Sequence, residues 1–428
     1  MFFNEDFLQY VWKFRLFDWS NLQTTDGERV EIVSPGLQNT DAGPDFQQAK
    51  IKIGDTLWAG NAEVHLTSSD WKRHGHPADK AYENVILHVV YRDDEPVTRA
   101  DGSKIPTIVL QERIAPELQA RYQKLLFGEQ QVIPCEKTIG TLDSIIIHNW
   151  LTRVLVERLH KRSVAVLKTL DVNRGDWEET FYQYLSANFG FKTNALPFEL
   201  LARSLPQLIL AKHKNNPLQI EALIFGQAGF LEDEFTDEYP LSLQKEYHFL
   251  QKKYGLKPIE KHLWKFLRLR PSNFPTIRLA QFAALINRSN HLFSKVLDIE
   301  DPKKYRDIFT NIRVNPYWDD HYLFDKKSKP ASKNLGRSSV DVLILNTLVL
   351  ILFAYGNSLK LERYVDRSLA LLEFIPAEQN NIVESFVTLG IKANTAYQTQ
   401  ALLELKNSYC NHKKCLQCGV GNKILNLA

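Results

Sequence analysis

The spacing of apolar residues changes character near residue 130. Ahead of that point Phe7, Leu8, Val11, Trp12 and Leu16 recur at helical spacing behind Asn4, a good first cap. Short β-like runs follow at Val30–Val33, Ala49–Ile53, Leu57–Leu66, Val85–Tyr91 and Thr107–Leu110. The turn signals Asp26-Gly27, Gly54-Asp55 and Asp101-Gly102 separate them, so five strands are expected. Pro77–Asn84 (PADKAYEN) predicts a short helix opened by its proline.

After Glu136 helical periods dominate: Ile145–Lys168, Trp177–Asn188, Pro197–Lys212, Leu241–Tyr254, Thr276–Asn287 and Val340–Tyr355. No fixed-period repeat emerges, which argues against a solenoid. Val340–Tyr355 is the most apolar stretch, but it falls short of the roughly 20 residues that cross a bilayer and carries Asp341 and Asn346. A buried helix is expected there. The polar, basic stretch Lys326–Ser339 (KKSKPASKNLGRSS) predicts a mobile loop. The pattern therefore gives an α+β protein with an α/β domain over residues 1–128 and a mainly helical domain over 129–428.

Composition sharpens this division. The 428 residues hold 53 Lys+Arg and 50 Asp+Glu, a net of +3. Residues 1–140 carry 15 basic and 21 acidic side chains, and the remainder 38 and 29, so a near-neutral total conceals halves of −6 and +9. That division suits a metal-binding catalytic domain beside a platform for an anionic substrate. It is equally the kind of imbalance that a large surface acquires without function. At 44% hydrophobic and 24% charged, the chain is neither disordered nor fibrous. The start, MFFNEDFLQYVWKFRLFDW, has no basic n-region, apolar h-region or small-residue cleavage site. A cytoplasmic protein without a membrane span is expected. Four cysteines are too few for a secreted disulfide scaffold of this length.

The densest reactive cluster is Gly43-Pro44-Asp45-Phe46 followed by Gly60-Asn61-Ala62-Glu63-Val64-His65. Glu63 and His65, two apart on a strand, share a face, and a hairpin at Gly54-Asp55 folds that strand back toward Asp45. Two carboxylates brought together repel, and a divalent cation relieves the repulsion while activating a bound water. His65 can orient or deprotonate that water. The pattern resembles the PD-(D/E)XK nuclease superfamily, with Pro44-Asp45 and then Glu63-Val64-His65 in place of Glu-x-Lys. Helix, meander, helix and further strand follow the superfamily's order over residues 1–115. The resemblance implies a restriction-endonuclease-like core, Asp45 and Glu63 as ligands of Mg or Mn, and phosphodiester hydrolysis in DNA or RNA. His65 stands where lysine is usual. Asp79 and Tyr82 would hold the polar and tyrosine positions that related RecB-type nucleases carry on the next helix.

A rival set is a mononuclear zinc hydrolase built from His65, His76, Asp79 and His88. His74 and His76, beside Lys72 and Arg73, can instead contact phosphate or add to the metal site. Against these stand ordinary structural roles, with His76 capping a helix and His88 packed in a strand. Through GPDFQQAKIKI, GNAEVHLTSSDWKRHGH, RLRPSNFPTIRLAQFAAL and its terminal cysteines, the chain as a whole is similar to an uncharacterised bacterial family, a domain of unknown function.

Three cysteines near the end, Cys410, Cys415 and Cys418, have the C-x4-C-x2-C spacing of a structural metal motif. The fourth ligand is the distant Cys135 or the nearby His412. Zinc is the preferred ion and a [4Fe–4S] cluster the alternative; the arrangement is similar to the iron–sulfur staple of some RecB-type nucleases. In the basic half, Arg268, Arg270, Asn273 and Arg278 frame a turn between Pro271 and Pro275 at a helix start, a candidate phosphate site. The competing reading is an arginine network serving the protein's own acids. Together these features predict a metal-dependent nuclease with nucleic acid as partner, or an impaired nucleic-acid-binding protein that keeps the fold.

Overall fold

The side chain of Asn4 accepts the amide of Phe7 and starts helix α1 (Glu5–Phe14), which ends where Arg15 turns left-handed. This is the cap that the sequence predicts, and Phe7, Leu8, Val11 and Trp12 form its buried stripe. The computed structural model describes residues 4–127, 132–288, 291–310 and 312–426. The protein is a mixed α+β chain in two units: 1–151 with 388–391 and 404–428, and 152–387 with 392–403. The cysteine-rich end thus belongs with the first unit.

One sheet organises the first unit, from β1 (Val30–Ser34), β2 (Leu37–Gln38), β3 (Phe46–Ile53), β4 (Thr56–Thr67), β5 (Val85–Arg92) and β6 (Thr107–Val109). β1 and β4 flank β3 antiparallel, and β2 pairs with the start of β3. β5 and then β6 extend the sheet parallel to β4. β3 begins at Phe46, earlier than the expected Ala49, because its register shifts between those residues and Gln48 takes a φ of 58°. This bulge breaks the alternation that marks a strand in sequence. β5 is buried along both faces, as a strand between parallel neighbours should be.

The stretch expected as one helix over 77–84 instead forms two single turns, His76–Ala78 and Lys80–Tyr82. Asp79 is extended between them and accepts the Ala81 amide through its carboxylate at 2.9 Å. A short acidic side chain competes here with helical bonding. Helix α2 (Asp70–Arg73) precedes these turns, and α3 (Pro116–Phe127), α4 (Glu136–Ile139) and the start of α5 (Ser144–Val172) follow the sheet.

The second unit is helical apart from the small pair His321–Leu323 and Lys326–Lys327. The most apolar stretch lies in one continuous helix, Arg337–Leu359, of which 72% of the most apolar window is buried. Among the described residues it is the one helix long and apolar enough to cross a membrane. Two of its polar positions are matched: Asp341 pairs with Arg306 at 2.7 Å, and Asn346 accepts from Arg162 at 3.0 Å. The basic stretch 326–339 is pinned rather than loose. Lys333 is 4% exposed, donates to the Asp319 and Ala331 carbonyls and lies over the Tyr322 ring. Composition marked this segment as mobile because a buried lysine satisfied by carbonyls leaves no trace in composition.

Candidate metal centre

β4 changes character along its length, and the change creates the site. Thr56–Ala59 is an exposed arm, whereas from Gly60 the strand is largely buried on both faces. Glu63 and His65 fall in the buried part, 4% and 1% exposed, and share one face. Helix α1 contributes Glu5 and Gln9, one turn apart: Gln9 donates to Asp45 at 2.8 Å, and Glu5 Oε1 lies 3.8 Å from His65 Nε2. The exit from β4 is fixed by Asp94, whose carboxylate accepts from Ser68 Oγ and the Ser69 amide. After α2 the chain turns at Gly75 with φ +78°, a conformation that favours glycine. The turn puts His74 and His76, two residues apart, against His65. Beneath it Trp71 is buried with Val85, Val97 and Ile105, and Tyr82 stacks on the His76 ring at 3.8 Å between centroids.

The three imidazole donor atoms converge, and Glu63 reaches two of them. His65 Nε2 is 3.2 Å from His74 Nδ1 and 3.3 Å from His76 Nε2. Glu63 Oε1 is 3.2 Å from His76 Nε2 and 3.5 Å from His65 Nε2. Tetrahedral coordination with metal–nitrogen bonds of about 2.05 Å requires donor–donor edges of about 3.3 Å. The four separations bracket that value along four of a tetrahedron's six edges; Glu63 meets His65 and His76 but lies outside the mutually close trio. Among the described residues, the three imidazole donors all lie within 4.8 Å of one another. Neutral imidazoles whose nitrogens meet three at a time cannot satisfy one another by hydrogen bonds alone.

Behind the trio, His65 Nδ1 lies 2.8 Å from His88 Nε2. With Nε2 on an ion, Nδ1 carries the proton and donates to His88, an outer-shell bond that fixes ring orientation. Burial, reinforced by His88, His76 and His74, lowers the His65 pKa to about 2. The ring is therefore neutral near pH 7, as a ligand must be. Burial and then His76 bring His88 down to about 3. The carboxyls move the other way. Burial, followed by repulsion from Glu63, raises Asp45, and the same two causes raise Glu5 to about 7. A cation would relieve this repulsion. His74 is exposed and Glu5 and Asp45 are partly so, which opens one side of the centre to solvent.

A family model described as "Protein of unknown function (DUF2851)" matches residues 5–381, nearly the whole chain. The chain belongs to the DUF2851 family. No curated protein and no solved structure matches it. In this DUF2851 protein the matched region holds every histidine and carboxylate of the centre, together with Cys135.

The residues singled out from sequence fall into three places. Asp45, Glu63, His65, His76 and Tyr82 meet at the centre, but Asp45 stands beside the donors rather than among them. Its oxygens accept from Gln9 and the Val64 amide, while its own amide donates to Glu63 Oε2 at 2.9 Å. Asp79 is exposed and serves its own turn. His88 is fully buried in contact with His65. His74 completes the donor set. Sequence marked it only as an accessory because Lys72-Arg73-His74 reads as a solvated basic run.

In the first unit, Cys135, Cys410, Cys415 and Cys418 are all unpaired and close enough to raise one another's pKa. His412 is exposed. In the second unit, Arg278 is 6% exposed and donates to Gln281, Asn273 and Ser339. Arg268, Arg270 and Asn273 remain exposed nearby in sequence.

Proposed function

We propose that this protein is a metal-dependent hydrolase whose ion is a divalent transition metal, held by His65, His74, His76 and Glu63. The convergence of three imidazole nitrogens, with the Glu63 carboxylate against two of them, carries the reading. Three nitrogens and one carboxylate oxygen suit zinc, iron or manganese better than magnesium, which prefers oxygen. Such an ion polarises a bound substrate oxygen and lowers the pKa of a bound water. Glu5 and Asp45, on the solvent side, supply carboxyls that exchange protons near neutral pH.

The substrate class we favour is a phosphodiester, with DNA or RNA as the partner. Support comes from the order helix, antiparallel β1–β3–β4, short helical turns and parallel β5, and from Asp45 abutting Glu63, as a restriction-endonuclease-like core would have them. A reducing, cytoplasmic setting accords with four unpaired cysteines.

The test pairs metal analysis of purified protein with hydrolysis of bis(4-nitrophenyl) phosphate and an oligonucleotide in Mn²⁺, Zn²⁺ or Mg²⁺, for wild type and His76→Ala. Expected are one transition-metal equivalent in wild type, its loss in the variant, and cleavage that depends on it. Equal cleavage by both proteins would overturn the assignment. Cleavage of a carboxylic ester but of neither phosphodiester would keep the metal centre and remove the nuclease reading.

A further inference from the structure

Arg278 stands apart among the buried cations of the second unit. Arg306 has Asp341 as its counter-ion, and Lys333 has Asp319 and Asp320 nearby. Among the described residues, no carboxylate lies within ion-pair distance of Arg278, which is 6% exposed. Its guanidinium is held by neutral groups instead: Gln281 Oε1 at 3.0 Å, Asn273 Oδ1 at 2.7 Å and Ser339 Oγ at 3.2 Å. Its Nε has no hydrogen-bond partner. The Phe191 ring covers one face at 4.4 Å, from a backbone whose φ of 49° an aromatic residue rarely adopts. Burial alone draws the group down to about 10, which leaves it charged at neutral pH. A cation taken out of water without a counter-charge is destabilising until an anion compensates it.

There is room for that anion. Arg278, two of its hydrogen-bond partners, Asn273 and Ser339, and the stacked Phe191 all line one cavity of about 180 Å³. The guanidinium head therefore sits in the cavity wall. Among the described residues no acid lines this space. Two helices start at the wall: Pro275 opens Pro275–Arg288, and Ser339 lies in the first turn of Arg337–Leu359. Helix starts favour negative charge in front of them. Leu269 completes one side, between the exposed Arg268 and Arg270.

The polar groups of the wall are left as donors. Ser339 Oγ and Asn273 Oδ1 accept from Arg278, so the serine keeps its proton and the asparagine its NH₂ to give. Asn194 is already engaged, accepting from the Lys265 amide at 2.8 Å and donating to the Lys265 carbonyl at 2.9 Å. Thr193 adds a hydroxyl. At about 30 Å³ per water the space holds roughly six waters. Sites for organic ligands begin near about 300 Å³, so a single oxyanion fits and a whole nucleotide does not. A guanidinium together with two helix starts suits a doubly charged anion. We propose that this cavity binds a phosphate group, with Arg278 as its counter-ion and Ser339, Asn273 and Thr193 donating to its oxygens. The site belongs to the second unit alone and does not rest on the metal centre.

The experiment titrates inorganic phosphate into the full chain, purified without phosphate, by isothermal calorimetry at fixed ionic strength. Expected is one phosphate per chain with a dissociation constant below about 1 mM. Binding should persist in His76→Ala and weaken at least about tenfold in Arg278→Lys, whose ammonium lacks the planar fork. It should weaken about threefold in Ser339→Ala. Wild type and Ser339→Ala decide the matter where Arg278→Lys fails to fold. No binding by wild type up to about ten times that concentration would overturn the site. So would unchanged affinity in Arg278→Lys, or acetate bound as tightly as phosphate. Loss of binding in His76→Ala would also overturn it, by placing the phosphate on the histidine-held ion, so failures of the two sites are distinguishable. An oligonucleotide with and without a 5′-phosphate then separates the sources of the group. At least about tenfold preference for the phosphorylated strand, lost in Arg278→Lys, assigns the cavity to a strand end; equal binding assigns it to free phosphate.

Discussion

In the first unit, buried polar side chains face others of their own kind: His65 lies among His74, His76 and His88, and Asp45 abuts Glu63. In the second unit they face complements. His321 lies 2.6 Å from Asp320 and 3.5 Å from Asp237, Arg306 pairs with Asp341, and Glu221 accepts from Tyr239 and Asn315. The second arrangement sets acid against base and donor against acceptor, leaving single atoms such as His321 Nε2 and Arg306 Nη2 without a hydrogen bond. The first holds donors of one type in excess, a set that a bound ion would complete. The contrast relocates the chemistry suggested by net charge. The basic surplus of the second unit is partly consumed internally, at Arg278, Arg306 and Lys333, whereas the first unit keeps unmet coordinating capacity.

Breaking the like-with-like set should have the largest effect. His65→Ala is expected to lower affinity for the histidine-bound ion by about a thousandfold, or about 4 kcal/mol. Competition with a chromogenic chelator measures this, and a change below tenfold would erase the distinction between the units. Next, Arg278→Ala should cost about 3 kcal/mol of stability, by stranding the buried Gln281 side chain and removing a packed guanidinium, and leave metal content unchanged. Urea unfolding of the loaded protein reads it; a loss of metal instead would give Arg278 a role outside its own unit. His88→Phe removes only the outer-shell partner and should weaken ion binding about 10- to 100-fold without abolishing it. Unaltered affinity would make His88 a packing residue.

The gentlest effect is on pH dependence. In the metal-free protein the folded state holds protons on Glu5, up to about 7, and on Asp45, also raised, that the unfolded chain has already released. The folded form thus binds more protons, so the stability these groups contribute is full below their ordinary range and is lost as pH rises through their folded values. His65 and His88 work oppositely, but only below about 6.5, where the unfolded rings protonate. Between about pH 6.5 and 8, chelator-treated protein should lose stability as pH rises, and metal-loaded protein should show a flatter profile. Urea midpoints across that window check both; parallel profiles would place the ion away from these carboxyls.

Features governed by local spacing could be read directly. Asn4 and the Phe7–Trp12 stripe specify α1, Gly54-Asp55 specifies the hairpin, and Asp45, Glu63 and His65 follow from strand alternation. What depends on burial or on one backbone torsion could not. His74 becomes a donor only because Gly75 reverses the chain. Arg278 lies on a helix face that reads as a phosphate site, yet that face points inward. Lys333 is basic and surrounded by turn residues, but two carbonyls and a tyrosine ring hold it inside. Cysteine spacing singled out the terminal thiols, while the packing of the terminal helix on α3 and α4 could not be read from it.

The division of the chain also sets a schedule. Residues 404–428 complete the first unit, yet most of the second is made before them. At translation rates of about 5–20 residues per second, the sheet and its histidines wait roughly 10 to 50 s for their last segment. During that interval the surface of α3 and α4 is uncovered and Cys135 is without its three companions. Closing the first unit therefore waits on residues 404–428, and a fold that looks like two neighbours in sequence is finished only after the second of them has been made.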